Sequence, residues 1–126
     1  MTVQIIAEAG VNHNGDIDRA LLLVDAAADA GADYVKFQTF SAAKLVTRQA
    51  DRAAYQIAAL GDAGSQFEML QRLELSAADH EKIAAHCKFR DIGFLSTGFD
   101  LESVDFLVAM GIGLIKIPSG ELTNLP

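Results

Sequence analysis

The sequence predicts an α/β chain built around a parallel sheet. Short apolar runs alternate with longer amphipathic segments along its length. The runs lie at residues 3–9, 34–38, 93–97 and 114–117. Each finishes in polar or ionisable groups: Glu8, then Lys36 and Gln38, then Ser96 and Thr97, then Lys116 and Ser119. Strands alternating with helices pair in parallel through right-handed crossovers. In such folds the C-terminal ends of the strands face the functional site.

Residues 3–9 form the first strand, and Asn12-His13-Asn14-Gly15 reads as a turn because Asn-Gly favours one. Asp16 is placed to cap a helix from Ile17 to about Ala30. Leu21, Leu22, Val24, Asp25 and Ala28 suit one buried face, and Gly31 stops the helix. In the second strand, alternation sets Lys36 and Gln38 on one face and Val35 and Phe37 on the other. Residues 39–64 carry no strong pattern. Within them 53–60 reads as helical and Gly61-Asp62-Ala63-Gly64 as a loop, and residues 66–73 then form a short helix.

Ser76-Ala77-Ala78-Asp79 resembles a capping box and opens a helix to about Arg90, with Ile83, Ala84 and Cys87 inward. The third strand, 93–97, is followed by Asp100, which caps a helix to about Met110 with Val104, Leu107 and Val108 inward. Glycines at 111 and 113 end it. The fourth strand, 114–117, leads into Pro118-Ser119-Gly120. No linker or low-complexity tract divides residues 1–126, which read as one unit.

Composition narrows the function classes. The chain has 126 residues, 51% of them hydrophobic, and a formal net charge of −7 with a sequence pI near 4.7. That apolar content supports a real core and argues against disorder. The negative charge disfavours nucleic acid, which selects a basic face. The start lacks a signal-peptide pattern and no apolar run reaches the roughly 20 residues a membrane span needs. Cytoplasmic location without a membrane partner is the expectation. Cys87 stands alone, so no internal disulfide is possible; it reads as core.

Lys36 and Lys116 sit within strands, flanked by Val35 and Phe37 and by Ile115 and Ile117. Burying an ammonium without a partner is costly, so each should meet an anion. Glu8 or Glu121 is one candidate and an anionic ligand is the other. Ser96, Thr97 and Ser119 add hydroxyl donors, and Gly98 and Gly120 allow backbone N–H groups close approach to an anion. The set suits a small ligand carrying phosphate and carboxylate. Glu8 and Glu121 could orient water or accept a proton, or form structural ion pairs with the lysines. His13 could bond substrate, but a loop histidine among asparagines more often fixes the turn. His80 and His86 do not share a helix face, and no cluster has metal-site spacing.

These residues fall in recognisable motifs. Ile5-Ile6-Ala7-Glu8-Ala9-Gly10-Val11-Asn12-His13-Asn14-Gly15 resembles the opening signature of the sialic acid synthase family. Gly31-Ala32-Asp33-Tyr34-Val35-Lys36-Phe37-Gln38-Thr39, Phe94-Leu95-Ser96-Thr97-Gly98-Phe99 and Ile115-Lys116-Ile117-Pro118-Ser119-Gly120-Glu121 resemble its next three strand motifs. The resemblance implies about four β/α strands, the N-terminal portion of a TIM-type (β/α)8 barrel that holds phosphoenolpyruvate at its C-terminal mouth. It implies condensation of phosphoenolpyruvate with an N-acetylated amino-sugar aldehyde, N-acetylmannosamine or a relative.

By motif position, Lys36, Thr97 and Ser119 would hold phosphate and Lys116 the carboxylate. Glu8 would contact the sugar, and Glu121 would lie by the aldehyde as a proton-transfer or orienting group; with Lys116, these are the implied catalytic residues. Asn12, His13, Gln38 and Ser96 are further substrate-binding candidates. A divalent metal, Mn2+ or Mg2+, would take its ligands outside these residues, and the full-length protein would be a homodimer.

The chain departs from the pattern at Gly98, where the family usually carries Pro. A complete barrel needs eight strands and about 250 residues, so the resemblance implies a truncated chain. It would lack the second half and a small antifreeze-like C-terminal domain, and would be inactive alone. Another phosphoenolpyruvate-condensing 3-deoxy-sugar-acid synthase, a self-pairing half-barrel and a phosphate-binding module are the alternatives.

Overall fold

The computed structural model describes residues 3–45 and 66–123. The helix expected at 53–60 and the loop at 61–64 lie outside them. Four strands, β1 (Ile6–Gly10), β2 (Tyr34–Thr39), β3 (Gly93–Gly98) and β4 (Ile115–Lys116), form one sheet in that order, every adjacent pair parallel. The helices are α1 (Ile17–Asp29), α2 (Ala42–Leu45), α3 (Gln66–Leu73), α4 (Ala77–Phe89) and α5 (Leu101–Ala109). A 3-10 turn, Ser119–Glu121, follows β4.

Local chemistry sets the helix ends where the sequence placed them. The Asp16 carboxylate accepts from the N–H groups of Asp18 and Arg19 and so satisfies donors that have no partner within α1. Gly31 then adopts φ +77 and turns the chain into β2. Ser76 and Asp79 form the full reciprocal capping box at the start of α4. Asp100 caps α5 through the N–H and hydroxyl of Ser103.

The core lies between one face of the sheet and the helices α1 and α4. Ala20, Val24 and Ala27 of α1 meet Val35 and Phe37 of β2 and Ile83 and Cys87 of α4. The Cys87 thiol is pushed up to about 12 by burial, so it behaves as a small hydrophobe. No helix among the described residues is long and apolar enough to cross a membrane.

Several expectations are corrected. The first strand begins at Ile6 rather than Val3: the ladder with β2 opens at the Ile6–Tyr34 pair, and the Ile5 carbonyl just before it accepts from the N–H groups of both Asp33 and Tyr34. Leu22 is exposed because it lies about 200° around the helix from Ala20, half a turn off the buried row. Val108 is exposed because α5 turns Ser103 and Leu107 inward.

Asp25 is on the flank of α1, not in the core. Its carboxylate accepts from His86 at 2.8 Å and from Arg90, both carried by the α4 segment, and Arg90 also reaches Asp29. The hydrogen bond from His86, followed by that from Arg90, holds the Asp25 carboxyl below its ordinary value of 3.8. A depressed carboxylate stabilises the fold above its unfolded value, and that contribution is lost as pH falls through the folded value. The melting-temperature gap between the parent chain and Asp25→Asn is therefore expected to be open at neutral pH and to close below about pH 3.8. A gap that stayed constant through that window would contradict this.

Candidate functional site

Strand register assembles the site. Glu8 pairs with Lys36, and Lys36 with Leu95; Gln38 pairs with Thr97, and Thr97 with Lys116. Paired residues in a parallel sheet share a face, and residues two apart on one strand do too. Glu8, Lys36, Gln38, Thr97 and Lys116 therefore stand together on the face opposite Val35 and Phe37.

Glu8 and Lys36 form an ion pair. The lysine side chain is 16% exposed and the glutamate 54%, so the ammonium is largely sheltered while its partner reaches solvent. Gly10 makes room beside them. A Cβ added there would meet Glu8 Oε1 at 3.2 Å and Gln38 Nε2 at 3.5 Å, so both side-chain ends converge over this glycine. Thr97 is buried in the middle of the row.

Lys116 corrects an expectation. It is exposed rather than buried within its strand, and Ile117 beside it is 68% exposed. β4 has two residues and pairs only with β3, so it lacks the second neighbour that would cover it. Ser119 is also exposed, and Glu121 is half-buried in the turn after β4.

Ser96 is separated from this row. It is fully buried on the helix side of β3, where Thr39 accepts or donates a 2.7 Å hydroxyl–hydroxyl bond. Gly98 faces the same side, and a Cβ there would come within 2.8 Å of Val104 Cγ2. In this chain Val104 occupies the space that a larger residue at 98 would need.

Asn12 is exposed in the first turn. His13 is fully buried, and its Nδ1 accepts from the Gly15 N–H at 2.9 Å. Its ring lies 6.2 Å from that of Phe37, on the core side of β2. Burial, followed by nearby His80, lowers its pKa. The structure thus gives His13 a turn-fixing contact.

One group went unrecognised in the sequence. His80 is buried and bonds Thr39 Oγ1 through Nε2 at 2.8 Å and the Ser76 carbonyl through Nδ1 at 2.9 Å. The signal was its spacing: positions 80, 83 and 87 share one helix face, the face of Ile83 and Cys87. A cavity of about 190 Å³ opens beside it, bordered by Thr39, Leu75, Asp100, Ser103 and Phe106. Among the described residues, no three His, Cys, Asp or Glu side chains converge as a metal site would require.

Comparison with known proteins adds independent weight. Residues 23–126 match the NeuB family. The chain is 52% identical to N,N'-diacetyllegionaminic acid synthase of Campylobacter jejuni over 97% of its own length and 36% of that protein's. It is also 52% identical to the enzyme of that name from Legionella pneumophila, over 100% of its length and 35% of the relative's. Among solved structures, the N-acetylneuraminic acid (sialic acid) synthetase of Leptospira borgpetersenii, crystallised with citrate, superposes with a TM-score of 0.77 at 28% identity, covering 99% of this chain and 39% of that one. The chain thus spans about a third of the length of the curated relatives it matches. A family match over most of its residues, and close identity to nonulosonate synthases throughout, mean that this chain belongs to the NeuB family of sialic acid-type synthases.

Proposed function

We propose that this chain forms the phosphoenolpyruvate-holding part of a synthase that condenses phosphoenolpyruvate with an N-acetylated amino-sugar aldehyde, releasing phosphate and a sialic acid-type nonulosonate. The observation that carries the reading is the common face: Lys36, Gln38, Thr97 and Lys116 project from one side of a parallel sheet, toward the C-terminal ends of its strands. Two cations and a hydroxyl in that arrangement match a ligand with phosphate at one end and carboxylate at the other. The sheet belongs, on this reading, to the N-terminal portion of a (β/α)8 barrel.

In the proposed reaction the methylene carbon of phosphoenolpyruvate forms a bond to the aldehyde carbon, whose oxygen takes up a proton. Water adds at the carbon bearing phosphate, and the C–O bond to phosphate breaks. Lys36 and Thr97, with Ser119, hold the phosphate, and Lys116 holds the carboxylate. Glu8 meets the sugar, and Glu121 moves the proton or orients the water. Positioning and fixed positive charge are the main contributions of these residues.

The Glu8–Lys36 ion pair is the resting partner of the lysine. An incoming phosphate takes over that ammonium and frees Glu8 toward the sugar. When bound, a divalent metal would supply Lewis-acid polarisation of the aldehyde. Its ligands would come from outside the described residues, among which no three His, Cys, Asp or Glu side chains converge, and none of the roles above depends on it.

Titration with phosphoenolpyruvate tests the proposal. Lys36→Ala is expected to weaken binding at least tenfold, about 1.4 kcal/mol, and Glu8→Gln to leave it unchanged or tighter. Equal affinity in the parent chain and Lys36→Ala would overturn the assignment.

A further inference from the structure

The binding face has a second side. Behind β2 and β3, four polar groups are joined in a line: the Ser76 carbonyl, the His80 ring, the Thr39 hydroxyl and the Ser96 hydroxyl, at 2.9, 2.8 and 2.7 Å in turn. Thr39, His80 and Ser96 are all buried. Proton positions along this line follow from chemistry. A carbonyl only accepts, so His80 Nδ1 carries the proton. Burial disfavours a charged ring, so Nε2 is the free acceptor and Thr39 donates to it. Thr39 Oγ1 then accepts from the Ser96 hydroxyl. Each donor has one acceptor and the direction is unique.

What the line connects is more telling than its strength. Ser76 caps α4, Thr39 ends β2 and Ser96 lies in β3. Gln38 and Thr97, paired across β2 and β3 on the opposite face, are the immediate neighbours of Thr39 and Ser96. Fixing Thr39 and Ser96 from behind fixes the backbone from which Gln38 and Thr97 project.

We propose that the His80–Thr39–Ser96 hydrogen-bonded line is a positioning device that holds Gln38 and Thr97 in register for the anionic substrate, with His80 as a positioning residue rather than a catalytic one. The role of the substrate here rests on the phosphoenolpyruvate reading. The positioning itself does not. The device differs from ordinary core packing in requiring hydroxyls at 39 and 96 and an acceptor at 80, so shape alone does not satisfy it.

The test compares Thr39→Val, Thr39→Ser and Ser96→Ala in this chain. Thr39→Val keeps the volume but removes the hydroxyl, and Thr39→Ser restores it. Ser96→Ala deletes only the terminal donor and spares the Thr39 bond to His80, so it serves if Thr39→Val does not fold. Amide exchange is read by NMR at residues 37–39 and 96–98, with α1 as internal reference. Phosphoenolpyruvate affinity is titrated alongside.

Exchange at those six positions is expected to quicken at least tenfold beyond any change in α1 in Thr39→Val, and severalfold in Ser96→Ala. Thr39→Ser is expected to return it to within about twofold. Affinity should fall at least fivefold in Thr39→Val and recover in Thr39→Ser. Exchange that rises equally in α1 and the strand ends, or a Ser96→Ala chain identical to the parent at these amides, would overturn the proposal. If exchange responds as expected while the parent chain binds no phosphoenolpyruvate, the positioning line stands and the substrate reading fails.

Discussion

Replacing Gly15 by alanine is expected to destabilise the chain by about 3 kcal/mol or more. Gly15 adopts φ +76, a left-handed conformation that costs a side-chain-bearing residue on the order of 1 kcal/mol or somewhat more. The larger contribution is steric. A Cβ built at Gly15 lands on the carbonyl oxygen of Arg72, far inside contact distance, and that atom belongs to the backbone of α3. A backbone carbonyl cannot rotate aside as a side chain can, so either the turn or α3 must move. The turn also holds His13 through the Gly15 N–H, so movement there disturbs a buried ring against Phe37.

Gly31 supplies the control. It has nearly the same φ, +77, with nothing within 4 Å of an added Cβ. Gly31→Ala should therefore cost only about 1 kcal/mol. Urea unfolding of both variants separates the conformational cost from the clash. Equal losses would mean that the first turn does not pack against α3 as described. Against a total stability of about 5–15 kcal/mol for a domain, the Gly15 variant would be visibly compromised.

Phe37→Ala is expected to cost about 3–5 kcal/mol, the range for removing a large buried aromatic ring. Phe37 is fully buried at the centre of β2, with its ring 6.1 Å from that of Phe94 and 6.2 Å from that of His13. Its loss opens a cavity under the strand that carries Lys36 and Gln38 on the opposite face. The substitution should thus lower phosphoenolpyruvate affinity as well as stability, although Phe37 touches no ligand. Phe37→Leu keeps most of the volume and should cost less than about 2 kcal/mol. A Phe37→Ala chain that unfolded at the parent's urea midpoint would show that β2 does not anchor the core.

Much of the fold was legible because its signals are short-range. Asp16, Gly31, Ser76, Asp79 and Asp100 act within a few residues of themselves, through hydrogen bonds or a single φ angle. The alternation that set Lys36 and Gln38 apart from Val35 and Phe37 is a property of any extended strand. These local preferences place the elements without reference to the rest of the chain.

The site was legible only in part, since burial depends on what lies across from a residue. Lys116 and Lys36 have similar apolar flanks in sequence, yet one is exposed and the other sheltered. The difference is that β2 is paired on both sides and β4 on one. Ser96 and Thr97 are adjacent hydroxyl residues at one strand end, and neither composition nor spacing says which faces the helices. His80 read as an ordinary helix histidine until Thr39, 41 residues before it, and Ser96, 57 residues beyond Thr39, were brought to one place with it.

The sequence by itself determined that strands alternate with helices, where the capped helices at 17–29, 77–89 and 101–109 begin and end, and which strand residues alternate together. Only the tertiary structure decided that Glu8 pairs with Lys36, that Lys116 stands in the open, and that Ser96 turns inward to a histidine-centred line. The physical reason is range. Capping and alternation are satisfied within a turn or a pleat, whereas charge pairing and burial are settled by whichever distant segment arrives opposite.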